Sequence, residues 1–317
     1  MMRFGRMLRR IDAAGPAVLA ICLAMMVTAA PAAPPSRVLV VTSDDLPQYR
    51  QPVEAFVAAY AGDARVIDIG HSKEAGRDRI ERAVAEGPVD AIFAVGAQAA
   101  WLSRKVLPEV PLAFAMVIDW QRYGLGDNAS GISVELPVDA LLTRFKLLLP
   151  NLRRLGMIYS DQASSNTIAD AGAAAADLGI ELVREAVSDA EDVPGAYRRI
   201  RSEIDALWMI PDPVVVTHDN FRYLANRSVH DDVAFLAFSE NFVRAGALLS
   251  VSPDYATMGS QAAALIDRIV ATKPGPLSVQ APIGSSLVIN AETARALGID
   301  VDLKMLSLAD KVIDSDE

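Results

Sequence analysis

The stretch 130–166, SGISVELPVDALLTRFKLLLPNLRRLGMIYSDQASSN, decides how the chain divides. An extended segment, SGISVEL, runs into Pro137, whose fixed φ and missing N–H suit the first turn of a helix. That helix covers 138–149 and stops at Leu149-Pro150-Asn151. The strand 154–159 (RLGMIY) follows, and the polar turn SDQASSN opens another helix. One run of alternating strand and helix signals precedes this stretch and a second follows it. The reading is a crossing from one α/β lobe into another.

Working backwards, Val38-Leu39-Val40-Val41 is a continuous apolar, β-branched run, as expected of a strand buried on both faces of a parallel sheet. It ends in the turn Thr42-Ser43-Asp44-Asp45. A helix is expected at 49–60, with Val53, Phe56, Val57 and Tyr60 on one face. Then come a strand at 65–69, a helix at 73–86, a strand at 90–95, a short helix at 98–105 and a strand at 112–117. Strands alternating with helices at this spacing predict a doubly wound α/β lobe. The segment 119–130 (DWQRYGLGDNAS) is aperiodic and rich in Gly, Asn and Asp, as a loop approaching the junction should be.

Working forwards, the alternation repeats: a helix at 164–178, then strand 181–187, helix 193–202, strand 206–210, helix 217–229, strand 234–238 and a further extended run at 247–251. After Ser252-Pro253-Asp254-Tyr255 comes a helix over 258–270, with Ala262, Leu265, Ile266 and Ile269 on one side, stopped by Lys273-Pro274-Gly275-Pro276. A strand at 287–289 and a helix at 291–297, capped by Gly298, precede a polar end. No repeat of solenoid length is present. The expected fold class is α/β: two doubly wound parallel-sheet lobes.

At the N-terminus, Arg3, Arg6, Arg9 and Arg10 precede an apolar run from Ala17 to Val27 and the small-x-small site Ala30-Pro31-Ala32. This is the pattern of a cleavable secretory leader over 1–32. Its apolar run falls short of the ~20 residues needed to span a bilayer. Cys22, the single cysteine, lies inside it, so the exported chain is expected to have no disulfide and to depend on buried apolar surface. Residues 1–32 contribute four Arg and one Asp, so the formal charge of −10 becomes −13 without them. An acidic surface argues against nucleic acid, whose backbone requires Lys and Arg to replace its counterions.

Ligands of open parallel sheets bind beyond the carboxyl ends of the strands. The candidates are therefore Ser43 and Asp44, then Gly96, Ala97 and Gln98, then Asp119, in the first lobe. In the second they are Ser160, Ser164, Ser165 and Asn166, then Asp212, Pro213 and Val214, then Ser239 and Glu240. Asp254 joins them where the chain recrosses. Asp44 and Asp119 could recognise an amine, with Trp120 as an aromatic platform. Ser164-Ser165-Asn166 could hold an anionic group at a helix N-terminus, or simply cap the helix. The fingerprints of common enzymes do not appear: TSDDLP follows the first strand where a dinucleotide site requires G-x-G-x-x-G, and no P-loop or G-x-S-x-G is present. His71, His218 and His230 have no metal-pair spacing, and His230-Asp231-Asp232 reads as a solvated helix end. The expectation is no catalytic residue, metal or cofactor.

Gly131-Ile132-Ser133-Val134-Glu135 with LLPNLRRLGMIYS, the run 244–255 (RAGALLSVSPDY) with Met258-Gly259, and Leu287-Val288-Ile289-Asn290 with TARALGI resemble the ABC transporter substrate-binding proteins of type I periplasmic fold, in the branch that includes tryptophan and tyrosine binders. The resemblance runs from about residue 90 to 299. It implies two lobes joined by three crossings, at 130–136, at 250–254 and after Pro274. It assigns 36–132 plus 252–274 to an N-terminal lobe, 133–251 plus 275–305 to a C-terminal lobe, and 306–317 to a polar tail. It further implies a periplasmic, monomeric protein that captures a small molecule between its lobes and delivers it to an inner-membrane ABC permease. The alternative is a sensing module of the same fold that signals to a receptor or kinase. The chain departs from the family where relatives carry His-Pro-x-Leu after the first strand, having Ser43-Asp44-Asp45-Leu46-Pro47. It has Gly96-Ala97-Gln98-Ala99 where Gly-Thr-x-Ala is common, which removes a hydroxyl.

Overall fold

The computed structural model describes residues 36–118, 120–272 and 278–314, with the backbone alone at 162–166 and 304. The expected leader with Cys22, the candidate Asp119, the residues just after the helix stop at 273–277 and the last three residues lie outside the described residues.

The first sheet starts with β1 (Arg37–Thr42), α1 (Pro47–Ala59), β2 (Asp63–Asp68), α2 (Lys73–Ala85), β3 (Ala91–Val95), α3 (Ala97–Val106), β4 (Leu112–Ala115) and β5 (Ala129–Ile132). The second takes α4 (Val138–Leu148), β6 (Arg154–Tyr159), α5 (Asp161–Asp177), β7 (Glu181–Ala186), α6 (Val193–Ile200), β8 (Ala206–Trp208), α7 (His218–His230), β9 (Ala234–Ala237), α8 (Glu240–Arg244) and β10 (Leu249–Pro253). The chain continues through α9 (Tyr255–Thr272), β11 (Ser278–Gln280), β12 (Ser285–Asn290), α10 (Ala291–Ala296), α11 (Leu303–Leu308) and β13 (Lys311–Ile313).

Strand order is β11-β5-β4-β3-β1-β2 in one sheet and β13-β12-β10-β9-β8-β6-β7 in the other. Every pairing is parallel except β10 with β12. The fold is thus α/β, with two doubly wound lobes. The apolar run of β1 is explained by this two-sided burial. Val38 and Val40 face one core with Phe56 and Ile266, while Leu39 and Val41 face another with Ile80 and Leu102. Side chains of that size stabilise by about 1.5–3 kcal/mol each when fully buried. The second sheet is sandwiched likewise, with Phe145 and Trp208 on one side and Tyr197 and Phe235 on the other.

Three segments join the sheets. The first is 133–137, between β5 and α4. The second is Asp254, between β10 and α9, and the third runs from 281 to 284, between β11 and β12. Helix α9 packs back on the first lobe: Met258, Ala262 and Ile266 belong to its core. Ser133 N–H donates to Gln280 O at 2.8 Å and Asp254 N–H to Gly284 O at 3.1 Å, which ties the third segment to the other two. The buried Gln261 side chain of α9 donates to Ala281 O at 2.9 Å and accepts from Ile283 N–H at 3.2 Å.

Some expectations need correcting. β4 ends two residues early because Met116 turns to φ +59°, outside the β region. β11 lies in the stretch assigned to the second lobe yet pairs with β5 in the first; three residues, Ser-Val-Gln, are too short to show alternation. Where a polar tail was expected from 306, α11 extends to Leu308 and β13 pairs with β12 at the edge of the second sheet. Asp231 is no solvated end: its side chain is 5% exposed and is held by Arg201, Arg227 and His230 at 2.8, 3.0 and 3.0 Å.

The α1–α9 packing is close enough to require glycine at 259, where a Cβ would lie 2.2 Å from Pro52 O. Gly259→Ala is expected to destabilise the protein by about 1–3 kcal/mol, read as a lower urea midpoint.

Candidate functional site

The first lobe's candidates lie past the carboxyl ends of β1, β3 and β4. Gly96, with φ +93°, makes the turn from β3 into α3, and a Cβ there would sit 2.5 Å from Ser43 Oγ and 3.3 Å from Tyr49 Cζ. Ser43 is buried, and its hydroxyl accepts from Ala99 N–H at 2.9 Å. The first turn of α3 is therefore capped by a hydroxyl from the β1 loop. Ala97 and Gln98 are half-buried in that turn, and the Gln98 amide makes no hydrogen bond among the described residues.

Asp44 accepts from Asp45 N–H at 2.7 Å, and its other oxygen lies 3.8 Å from the exposed His71 ring. It does not cap α1, whose N-cap position is Leu46; Asp45 instead forms a two-pronged pair with Arg50 at 2.7 and 2.9 Å. Beside Asp44 stands Tyr49, which sequence reading passed over. Burial, then Asp44, then Tyr123 push the Tyr49 phenol above its ordinary value of 10.0. Burial and Tyr49 do the same for Tyr255. Tyr49 is thus within electrostatic reach of Asp44, Tyr123 and Tyr255 in turn. Met116, a strained non-glycine residue, packs on the same core as Tyr49 and Tyr255. The available signal was position: these residues stand just past β1, β4 and β10. Trp120 packs on Phe114, ring centroids 5.9 Å apart, as ordinary loop packing would have it.

On the second lobe the candidates gather around one carboxylate. Asp212 is fully buried and accepts from Ser160 N–H at 2.8 Å, Ser160 Oγ at 2.9 Å, Val214 N–H at 2.9 Å and Val215 N–H at 3.2 Å. It ties the loop after β6 to the loop after β8. Ser160 stands at the N-cap of α5 but gives its hydroxyl to Asp212 rather than to its own helix. Because α5 begins at Asp161, Ser164, Ser165 and Asn166 lie inside the helix rather than at its start. Pro213 is exposed and Val214 half-buried at the tip of this turn.

Two other candidates are engaged in structural bonds. Asp254 caps α9, accepting from Ala256 and Thr257 N–H at 3.0 and 3.1 Å and from Thr257 Oγ1 at 2.6 Å. Ser239 is the N-cap of α8 without a side-chain bond to it. Glu240 accepts from Lys311 Nζ at 2.9 Å and Arg244 Nη2 at 2.7 Å. The Lys311 hydrogen bond is the main cause holding its carboxyl below the ordinary 4.5, so this contact stabilises above that pH and is lost as pH falls through the depressed value. No group of His, Cys, Asp and Glu suited to a metal occurs among the described residues.

The sequence matches the family described as ABC transporter substrate binding protein over residues 82–313. A Clostridioides difficile tyrosine-binding protein is 26% identical over 72% of this chain and 68% of its own length. Among solved structures, the ligand-free, open form of a Clostridium difficile substrate-binding protein with adhesive properties is similar with a TM-score of 0.73 and 17% identity, covering 88% of this chain and 99% of that one. A Streptococcus pneumonia ABC domain in complex with L-Trp gives 0.56 and 20%, covering 87% and 100%.

Asp212→Asn leaves one acceptor oxygen for donors that now use two and sets an NH2 against them. It is expected to cost about 2–4 kcal/mol and to speed amide exchange at 160 and 214–215. Lys311→Met is expected to raise the Glu240 titration toward 4.5, followed by NMR of the side-chain carboxyl. The two-lobed α/β fold is consistent with the match over residues 82–313, and that match leads to one assignment: the chain belongs to the ABC transporter substrate-binding protein family.

Proposed function

We propose that this is a periplasmic solute-binding protein that captures a small amphipathic amino compound between its lobes and hands it, on closure, to an inner-membrane ABC permease. The observation that carries the reading is that strand ends from both sheets open toward segments where three chain crossings meet. Lobes joined in this way can rotate without breaking either core, and a ligand touching both stabilises the closed form. The lobes proposed to move are 36–132 with α9 and β11, and 133–253 with the chain from β12 onward. Among the described residues no helix is long and apolar enough to cross a membrane. The basic and apolar pattern at 1–32 supports export.

The ligand class follows from the lip of the first lobe. Asp44 supplies a carboxylate for an ammonium group, Tyr49 supplies aromatic surface beside it, and Tyr123 and Tyr255 lie within electrostatic reach of Tyr49. The free Gln98 amide and the N-terminus of α3 supply donors for a carboxylate. An aromatic amino acid satisfies all three, and the named ligands of the two similar proteins, tyrosine and L-Trp, support the choice.

L-tyrosine and L-tryptophan are expected to raise the melting temperature and shrink the radius of gyration in solution scattering. Asp44→Asn is expected to weaken either ligand about tenfold, or about 1.4 kcal/mol. Unchanged scattering at saturating ligand would refute closure. Absence of a thermal shift with either amino acid would refute the ligand class.

A further inference from the structure

A cavity of about 510 Å3 opens at the far end of the second lobe. Leu152, Asp205 and Asp232, which line it, precede β6, β8 and β9, whereas the cleft loops follow those strands. The six residues of β6 therefore separate the two places by roughly 20 Å, at ~3.3 Å per residue. Its volume is within the ~300–1,000 Å3 of small-molecule sites.

The floor is apolar and built from the core: Leu148, Leu152, Ala234 and Met305 are all buried. Exposed apolar side chains continue it outward, with Leu147 44% exposed on its lining. The charged lining among the described residues consists of Asp205, Asp232, Asp300 and Asp302. Two of the four are engaged. Asp205 accepts from the N–H groups of Arg153 and Arg154 at 2.8 Å each, and Asp302 caps α11 through Met305 N–H at 2.7 Å. The carboxylates of Asp232 and Asp300 have no hydrogen bond or ion pair among the described residues. A neighbouring groove that shares Asn151 and Asp205 with the cavity carries Lys146, Arg153 and Arg154. There Lys146 donates to Leu152 O at 2.5 Å and Arg154 stands 3.9 Å from Asp205. The lining carboxylates without such a partner among the described residues are those of the exposed Asp232 and Asp300, while Arg201 and Arg227 are held by the adjacent Asp231.

An apolar floor does not suit a hydrated metal ion, and an acidic lip repels carboxylates and phosphates. We propose that this cavity is a second ligand site, separate from the interlobe cleft, for an amphipathic amine. The ammonium would sit at the lip formed by Asp232 and Asp300, and the hydrocarbon would cover Leu148, Leu152 and Met305.

The test is calorimetric titration of the full exported chain with hexylamine, 1-hexanol and hexanoate, three probes alike in apolar body and different in charge. Hexylamine is expected to bind at least about tenfold more tightly than hexanol, and hexanoate least. The double variant Asp232→Asn, Asp300→Asn is expected to bring the amine down to the level of hexanol. Leu147→Lys, at an exposed position that leaves the core intact, is expected to weaken the amine about tenfold. Both variants should leave the response to L-tyrosine unchanged, which separates this site from the cleft. Equal binding of the three probes, or amine binding that survives the double variant but is lost with Asp44→Asn, would overturn the proposal. So would binding of a Lys/Leu amphipathic peptide with no binding of hexylamine, which would mark a protein-docking surface instead.

Discussion

The close approach of α9 to α1 is the constraint on which the rest depends. A backbone carbonyl at Pro52 leaves no room for a side chain at position 259, and glycine there lets the helix that follows β10 pack back on the first lobe. Its apolar face completes the core that Val38, Val40 and Phe56 begin. Once α9 is committed there, the chain must cross a third time to build β12, and β12 arrives running against β10. Three crossings and one antiparallel pairing in an otherwise parallel sheet are thus consequences of a single packing contact.

Much of the fold was legible in the residues. The run Val38–Val41 could only be a strand buried on both faces, and the apolar stripe Ala262, Leu265, Ile266, Ile269 could only be a helix packed on one side. What escaped was structure whose reason lies elsewhere in the chain. β11 and β13 are three residues each and become strands because β5 and β12 offer free edges. β4 stops at Met116 because the backbone there leaves the extended region, for which no local residue gives notice.

The cleft was legible in position and less so in role. The rule that ligands gather beyond strand ends selects the candidate loops, but which side chains remain free there is decided by partners distant in sequence. Ser43 caps a helix 56 residues away, Ser160 donates to a carboxylate 52 residues away, and Asp254 spends both oxygens on its own helix. Tyr49 and Tyr123 were missed for the opposite reason: they belong to separate elements, and only folding brings Tyr49 within reach of both Asp44 and Tyr123.

The buried Asp212 gives the two lobes unequal characters. Because one carboxylate holds the loops after both β6 and β8, neither can shift without releasing the other, and the second lobe presents a stiff face, an anvil. The first lobe's lip is made of side chains hung on loops and helix starts, with a free amide at Gln98. Discrimination among related ligands should therefore have evolved on the first lobe, where single substitutions can reshape the contact surface without unseating a shared anchor.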